Sequence, residues 1–282
     1  MSRPKTAKGS MRKIEVSCAS WIDLLGYGSM LEEALFDPTH HSAKSALDRT
    51  SYFHDIVSRM SCRYFPMFVM NDGAVAYRDM SPRAKSVTFD FLRRSLELFH
   101  EVNRLDKFEN SFPGARMVIT PGFRVRRELD FDQLLNQGKG KKIKEKFKEG
   151  AIDGNQAINE ALKVRGYSDS NPELQANFAM AKAFIAESSG TKAGLSGASC
   201  FVDLAIFESI LPEWIVFSEF IEWEKKGMFA TFGRFESINI KVASKNQYAG
   251  ILDAFEIAEN IGKSQEIVNK LKRSRLGNLR KT

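Results

Sequence analysis

At 282 residues the chain can bury a sizeable core, as one large domain or two small ones. The sequence is 43% hydrophobic and 27% charged, the balance of an ordinary soluble globular protein. That balance excludes a low-complexity or fibrous chain, and no apolar run is long enough to span a bilayer. The net charge of +7 gathers in three places: the N-terminal tail, Lys139 to Lys148, and the C-terminal end from Lys270 to Arg275 with Arg280 and Lys281. Such clusters can contact phosphate backbones. No aromatic residues are interleaved with them, so solvated tails and a solvated helix face are the favoured reading over nucleic-acid binding. The basic N-terminus adjoins no apolar segment of the kind a secretory signal needs. Cys18, Cys62 and Cys200 are isolated, which argues against a zinc ribbon or a disulfide framework and for a reducing cytoplasm.

Residues 1–12 read as a disordered arm. Ile14 to Ile22 reads as a strand with a carboxylate, Asp23, at its end. Gly26 to Phe36 starts a helix that Asp37 and Pro38 stop. A second helix runs from Ser42 to Met60. Tyr64 to Met70 is a dense apolar run, and Ala74 to Tyr77 follows it after Asn71, Asp72 and Gly73. Two apolar runs around Asn-Asp-Gly predict a β-hairpin with Asp72 at its tip. Ser81 and Pro82 open a long helix as N-cap and first helical residue, with Val87, Phe91, Leu92, Leu96, Phe99 and Val102 on its apolar face. Ala115 to Thr120 is a strand ended by Pro121 and Gly122.

This order is βαββαβ, an α+β ferredoxin-like or palm plan with helices on one face of the sheet. It sets the end of the first strand beside the hairpin tip, and so Asp23 beside Asp72. The core is expected over residues 13–124 and again over 173–246, separated by a charged, partly helical insertion at 125–172. Glu173 to Glu187 is a helix, Ser188 to Gly197 a Gly/Ser loop, and Ser199 to Ile210 a short helix. Trp214 to Phe217 and two runs between Gly227 and Ile240 are strands. A long amphipathic helix and basic tail occupy 247–282.

Two ionised carboxylates held together repel each other and favour a divalent cation between them. Oxygen ligands suit Mg²⁺ or Mn²⁺, with phosphate oxygens completing the shell. A helix starting after glycines offers free N–H groups to an anion. Asp23, Leu24, Leu25, Gly26 and Tyr27, together with Asn71-Asp72-Gly73 and Arg116 to Gly122, resemble motifs of class III nucleotide cyclases. The likeness covers roughly residues 14–124, with an echo at 194–208. It implies that Asp23, Asp72 and the Leu24 carbonyl bind the metal. It implies that Leu25, Gly26, Tyr27, Gly28 and Ser29 cradle the phosphates. It further implies a homodimer that converts a nucleoside triphosphate to a cyclic nucleotide and pyrophosphate.

The sequence also departs from the family. Pro66 and Met67 stand where a base-reading Lys is expected. Asp203 and Phe207 stand where an Asn and an Arg stabilise the transition state. Lys192 and the Lys139 to Lys148 cluster are the candidate substitutes. Pyrimidine cyclases of bacterial anti-phage signalling are similar in lacking the purine-reading residues. A cyclase-like protein without catalysis, acting as a nucleotide-binding or interaction subunit, is the alternative. The remaining candidates read as structural: His40, His41 and His54 lack Cys or carboxylate partners at metal-ligand spacing, His100 lies within a helix, and Cys200 lacks a His partner for nucleophilic chemistry.

Overall fold

A computed structural model describes residues 13–126, 142–164, 174, 176–239, 248–262 and 265–271. Residues 1–12, the basic C-terminal residues after 271 and the Lys139–Lys141 part of the insertion lie outside these residues. The chain divides into two units. One holds Ile14–Arg124 with Asn177–Thr282, and the other holds Val125–Ala176 with the first thirteen residues.

The larger unit is built on a seven-stranded sheet in the order β2-β3-β1-β4-β5-β7-β6. Its strands are β1 (Lys13–Leu24), β2 (Met67–Met70), β3 (Gly73–Asp79), β4 (Ala115–Arg126), β5 (Cys200–Asp203), β6 (Ile215–Lys225) and β7 (Met228–Ile238). The expected βαββαβ order appears as the first four of these, with α1 (Tyr27–Glu33) and α2 (His41–Met60) after β1 and α3 (Lys85–Asn103) after β3. Residues alternate across each strand, so each strand supplies two layers. Val16, Cys18, Ile22, Leu24, Met117, Ile119 and Val202 face α2 and α3, against Phe53, Ile56, Phe91, Leu96 and Val102.

Val118, Phe201, Ile221, Trp223 and Phe232 face the other way and are covered by Ala186 of α6 (Phe178–Ser189). Helices on one face is therefore true of α2 and α3, whereas α6 covers part of the second face. β4 also runs on through Pro121 and Gly122 instead of ending there. Gly122 is required because a Cβ at that point would lie 2.5 Å from the backbone nitrogen of Ala179, so the start of α6 rests directly on the strand. Thr120 Oγ1 donates to the Ala179 carbonyl at 2.8 Å and ties the two together.

Other segments differ from expectation. The strands expected at Trp214 to Phe217 and as two runs between Gly227 and Ile240 are instead one long hairpin, β6 paired with β7. Residues 200–203 form β5, parallel to β4, not a helix. All four are buried on both faces, and a short apolar run of that kind has no period that separates strand from helix. Ser81 caps a turn through Arg83 N–H, and α3 begins only at Lys85. In place of one long C-terminal helix there are α7 (Ala254–Ile261) and a further helical turn at 265–271. Asp253 and Glu256 form a capping box at the start of α7, and Gly262 follows its end.

The smaller unit contains a helix at 142–148 (α4) and α5 (Gly154–Val164). Lys146 and Glu160 approach to 3.8 Å between them. Among the described residues no helix is long and apolar enough to cross a membrane.

One buried ion pair holds the end of β1. Arg49 on α2 is 2% exposed. Its Nε and one terminal nitrogen donate to the two oxygens of Asp106 at 2.7 Å each. It also donates to the carbonyls of Leu25 at 2.9 Å and Gly114 at 3.2 Å, and Gly114 N–H donates to Asp106 at 3.0 Å. Removing one member strands the other without compensation, which costs about 3–5 kcal/mol. Arg49→Met is expected to lower unfolding free energy by that amount in urea titrations, and Arg49→Met with Asp106→Leu to recover part of the loss.

Candidate functional site

Asp23 is the penultimate residue of β1. The β1–β3 register pairs it with Gly73, and Leu24 N–H donates to the Asp72 carbonyl at 3.1 Å. Met70 pairs with Gly73, so Asn71 and Asp72 form a two-residue hairpin loop. Asn71 sits in the left-handed region at φ 55°, which Asn tolerates. Its side-chain amide donates to Asp72 Oδ1 at 3.0 Å. A ring nitrogen of His54, from α2, lies 2.7 Å from the Asn71 carbonyl and steadies the tip.

Gly73 is dictated by its surroundings. A Cβ there would lie 2.7 Å from the Trp21 ring and 3.1 Å from Asp23 Oδ1. Trp21 meets Phe184 of α6 edge-on, with ring centroids 5.1 Å apart.

The Asp23 carboxyl is raised from the ordinary 3.8 to about 7. Burial is the largest cause, followed by the charges of Glu187 and Asp72; Arg116 and Arg49 pull the other way. Its carboxylate has no hydrogen-bond or ion-pair partner among the described residues. The two arginines are committed elsewhere, Arg49 to Asp106 and Arg116 to Glu187. Arg116 Nε and a terminal nitrogen donate to Glu187 Oε1 at 2.9 and 2.6 Å, and the other terminal nitrogen donates to the Leu195 carbonyl at 3.0 Å.

Glu187 and Arg116 are the site neighbours that sequence reasoning missed. They are 71 residues apart with the insertion between them, and no local spacing pairs them.

The glycine turn follows directly. Gly26 takes φ 75° and caps α1, a conformation that favours glycine. Met30 N–H is the first to close back, to the Gly26 carbonyl at 3.3 Å. The N–H groups of Tyr27, Gly28 and Ser29 therefore stand outside the ladder of α1, with Gly28 and Ser29 exposed. Leu25 differs from expectation. Its N–H donates to the Gly114 carbonyl at 2.9 Å and its carbonyl accepts from Arg49, so it anchors the turn and has no N–H to offer a phosphate.

Lys192 is exposed on a 3₁₀ turn, Gly190–Ala193, and the cations that bear on Asp23 are Arg116 and Arg49 instead. Asp203 and Phe207 do not lie on a helix. Asp203 ends β5, accepts from Lys182 at 2.6 Å and from Ala205 N–H at 3.0 Å, and is 1% exposed. Phe207 is buried against Trp214 and Phe217. The helix whose charge reaches Asp23 is α6, through Glu187. Pro66 and Met67 stand at the entry to β2, and the Pro66 carbonyl accepts from Tyr77 N–H at 3.4 Å.

His40 and His54 make local contacts with the backbone, and Cys18 and Cys200 are buried. His40 caps α2 by accepting from Ser42 N–H at 3.3 Å. Burial lowers the His100 pKa and raises those of the Cys18 and Cys200 thiols, which disfavours thiolate chemistry.

Two carboxylates, one without a partner, form a hard-oxygen donor set that fits Mg²⁺ or Mn²⁺. No cluster of three His, Cys, Asp or Glu side chains among the described residues is arranged to hold a metal, so backbone or substrate oxygens have to complete such a shell.

No family model and no curated protein matches the sequence. Several solved structures are similar to it in outline. The guanylate cyclase domain of RhGC from Catenaria anguillulae in complex with GTP aligns at 9% identity and a TM-score of 0.42, covering 80% of this chain and 100% of that one. A bacterial light-regulated adenylyl cyclase aligns at 10% identity and 0.43, covering 84% and 99%. The non-canonical dimeric guanylyl cyclase domain of the RhoGC fusion protein from the aquatic fungus Blastocladiella emersonii aligns at 10% and 0.39, covering 79% and 99%.

The raised Asp23 pKa has a definite sign in stability. Between about pH 4 and 7 the folded protein keeps the Asp23 proton while the unfolded chain has lost it, so this group lowers stability as pH rises and its effect levels off above about 7. In the presence of a chelator, Asp23→Asn is expected to melt at a higher temperature than the unsubstituted protein at pH 8. The gap should shrink toward pH 4. Thermal melts at the two pH values check both expectations.

Proposed function

We propose that the protein is nucleotide cyclase-like and holds a divalent metal at Asp23 and Asp72. The observation that carries this reading is Asp23 itself: a partly buried, unpartnered carboxylate set by strand register beside a second one, with its pKa pushed toward neutrality. Such an arrangement is unfavourable for folding and is relieved by a cation. Mg²⁺ or Mn²⁺, held by Asp23, Asp72 and the Leu24 carbonyl, supplies charge neutralisation for a bound triphosphate.

The chain's own residues then have separate tasks. Asp23 and Asp72 would hold the cation to which the triphosphate end of the nucleotide binds. The N–H groups of Tyr27, Gly28 and Ser29 line the turn beside them. α1 has only seven residues, so this turn is an accessory to the carboxylates and not a site alone. Arg49 and Asp106 keep the turn rigid from behind. In the reaction the ribose 3′-oxygen bonds to the α-phosphorus, the bond to the β-phosphate bridging oxygen breaks, and pyrophosphate leaves. The hydroxyl proton is released to solvent. A homodimer, in which the partner supplies further groups, and a role in bacterial anti-phage signalling belong to the same proposal.

A second reading is favoured by one observation. Both arginines that bear on Asp23 are paired elsewhere, Arg49 with Asp106 and Arg116 with Glu187, each also donating to main-chain carbonyls, and the positions expected to steady the transition state carry the inward-facing Asp203 and Phe207. A protein of this kind binds a nucleotide without turning it over.

Incubation with each of the four ribonucleoside triphosphates and Mn²⁺, followed by chromatography, separates the readings. The cyclase reading expects a cyclic product from at least one of them, with a loss of at least about a hundredfold in Asp23→Ala, a residue placed at the charge-stabilising centre. Thermal stabilisation by a triphosphate without product supports the non-catalytic reading. Full activity in Asp23→Ala overturns the carboxylate assignment.

A further inference from the structure

Asp72 is tethered on three sides. Its own carbonyl accepts from Leu24 N–H at 3.1 Å. The carbonyl before it, that of Asn71, lies 2.7 Å from a ring nitrogen of His54. A carbonyl only accepts, so the nitrogen that faces it carries the proton. The third tether is on the side chain, where Asn71 Nδ2 donates to Asp72 Oδ1 at 3.0 Å. An ionised carboxylate also only accepts, which sets the amide nitrogen of Asn71, and not its oxygen, against it.

The backbone does not require asparagine at this position. The φ of 55° at Asn71 is one that glycine adopts without steric cost. What asparagine adds over glycine is one side-chain amide, and that amide is spent on Asp72. The bond joins neighbours within a two-residue loop, so the pairing of β3 with β2 and β1 holds the hairpin closed without it. Its effect falls on the carboxylate.

The two carboxylates of the proposed cation site are therefore unequal. Asp23 accepts no hydrogen bond among the described residues, so both of its oxygens are open. Asp72 has Oδ1 engaged by Asn71, and Oδ2 has no partner among the described residues.

Divalent cations use such a pair differently. Ca²⁺ takes about six to eight oxygens and accepts both oxygens of one carboxylate. Mg²⁺ demands octahedral geometry, uses one or two carboxylates and completes its shell with water and phosphate oxygens. Ligation through both oxygens of Asp72 competes with the Asn71 amide for Oδ1. Ligation through Oδ2 alone does not.

We propose that Asn71 is a selectivity-determining residue of the cation site: its amide holds Asp72 Oδ1, leaves Oδ2 as the ligating oxygen, and so favours Mg²⁺ or Mn²⁺ over Ca²⁺. This inference rests on the carboxylate site proposed above and adds the group that sets its preference.

The test follows free Mn²⁺ by electron paramagnetic resonance on the full chain without nucleotide, first alone and then in competition with Ca²⁺. Asn71→Gly suits the same φ and removes the amide. It is expected to bind Mn²⁺ nearly as well as the unsubstituted protein. Its preference for Mn²⁺ over Ca²⁺ should narrow about fivefold or more, through loss of a hydrogen bond to a charged group. A merely structural role for Asn71 would move both affinities together and leave their ratio alone. Thermal melts in chelator establish that the variant is folded. An unchanged or widened ratio in Asn71→Gly overturns this inference and leaves the carboxylate site standing. Absence of Mn²⁺ binding by the unsubstituted protein overturns both.

Discussion

The Arg49–Asp106 pair is the constraint on which the rest of the larger unit depends. A buried guanidinium reaches from α2 to the turn after β1, to the loop before β4, and to the π-helical turn Arg104–Glu109 that follows α3. Its Cζ also lies 4.9 Å from the centroid of the Phe112 ring. Four segments distant in sequence are thereby fixed at one point. The turn they fix is the one that follows Asp23. Without that clamp, the strand end would fray and the relation between the two carboxylates would not be held by register alone.

Charge is arranged in layers around this point. Arg49 is matched by Asp106, and Arg116 by Glu187, so each arginine lowers the acidity penalty on Asp23 without pairing with it. Burial, Glu187 and Asp72 outweigh them. The result is a carboxylate with net repulsion around it, which a bound cation would relieve. The hairpin contributes through geometry. Gly73 lets the Trp21 ring lie against it, and Trp21 in turn meets α6, so the same helix that brings Glu187 also walls the carboxylate.

Much of this was legible in the sequence. The strand ending in Asp23, the Asn-Asp-Gly hairpin and the apolar face of α3 follow from alternation, turn chemistry and helical period. Their order was enough to predict the adjacency of Asp23 and Asp72. The second face was not legible. Cys200 to Asp203 is apolar at nearly every position, and only pairing with β4 and β7 makes it a strand. Leu25 reads as part of a phosphate turn until its N–H is seen to be spent on Gly114. Glu187 and Arg116 lie on opposite sides of a long insertion, and a pairing of that span leaves no local pattern.

The central claim is that Asp23 and Asp72 together form a cation site. Direct Mn²⁺ binding, followed by the loss of the free-ion electron paramagnetic resonance signal, tests it most simply. Unsubstituted protein is predicted to bind Mn²⁺, with nucleoside triphosphate strengthening the binding, and Asp23→Asn and Asp72→Asn are each predicted to weaken it about tenfold or more. Equal Mn²⁺ binding by all three proteins would contradict the account.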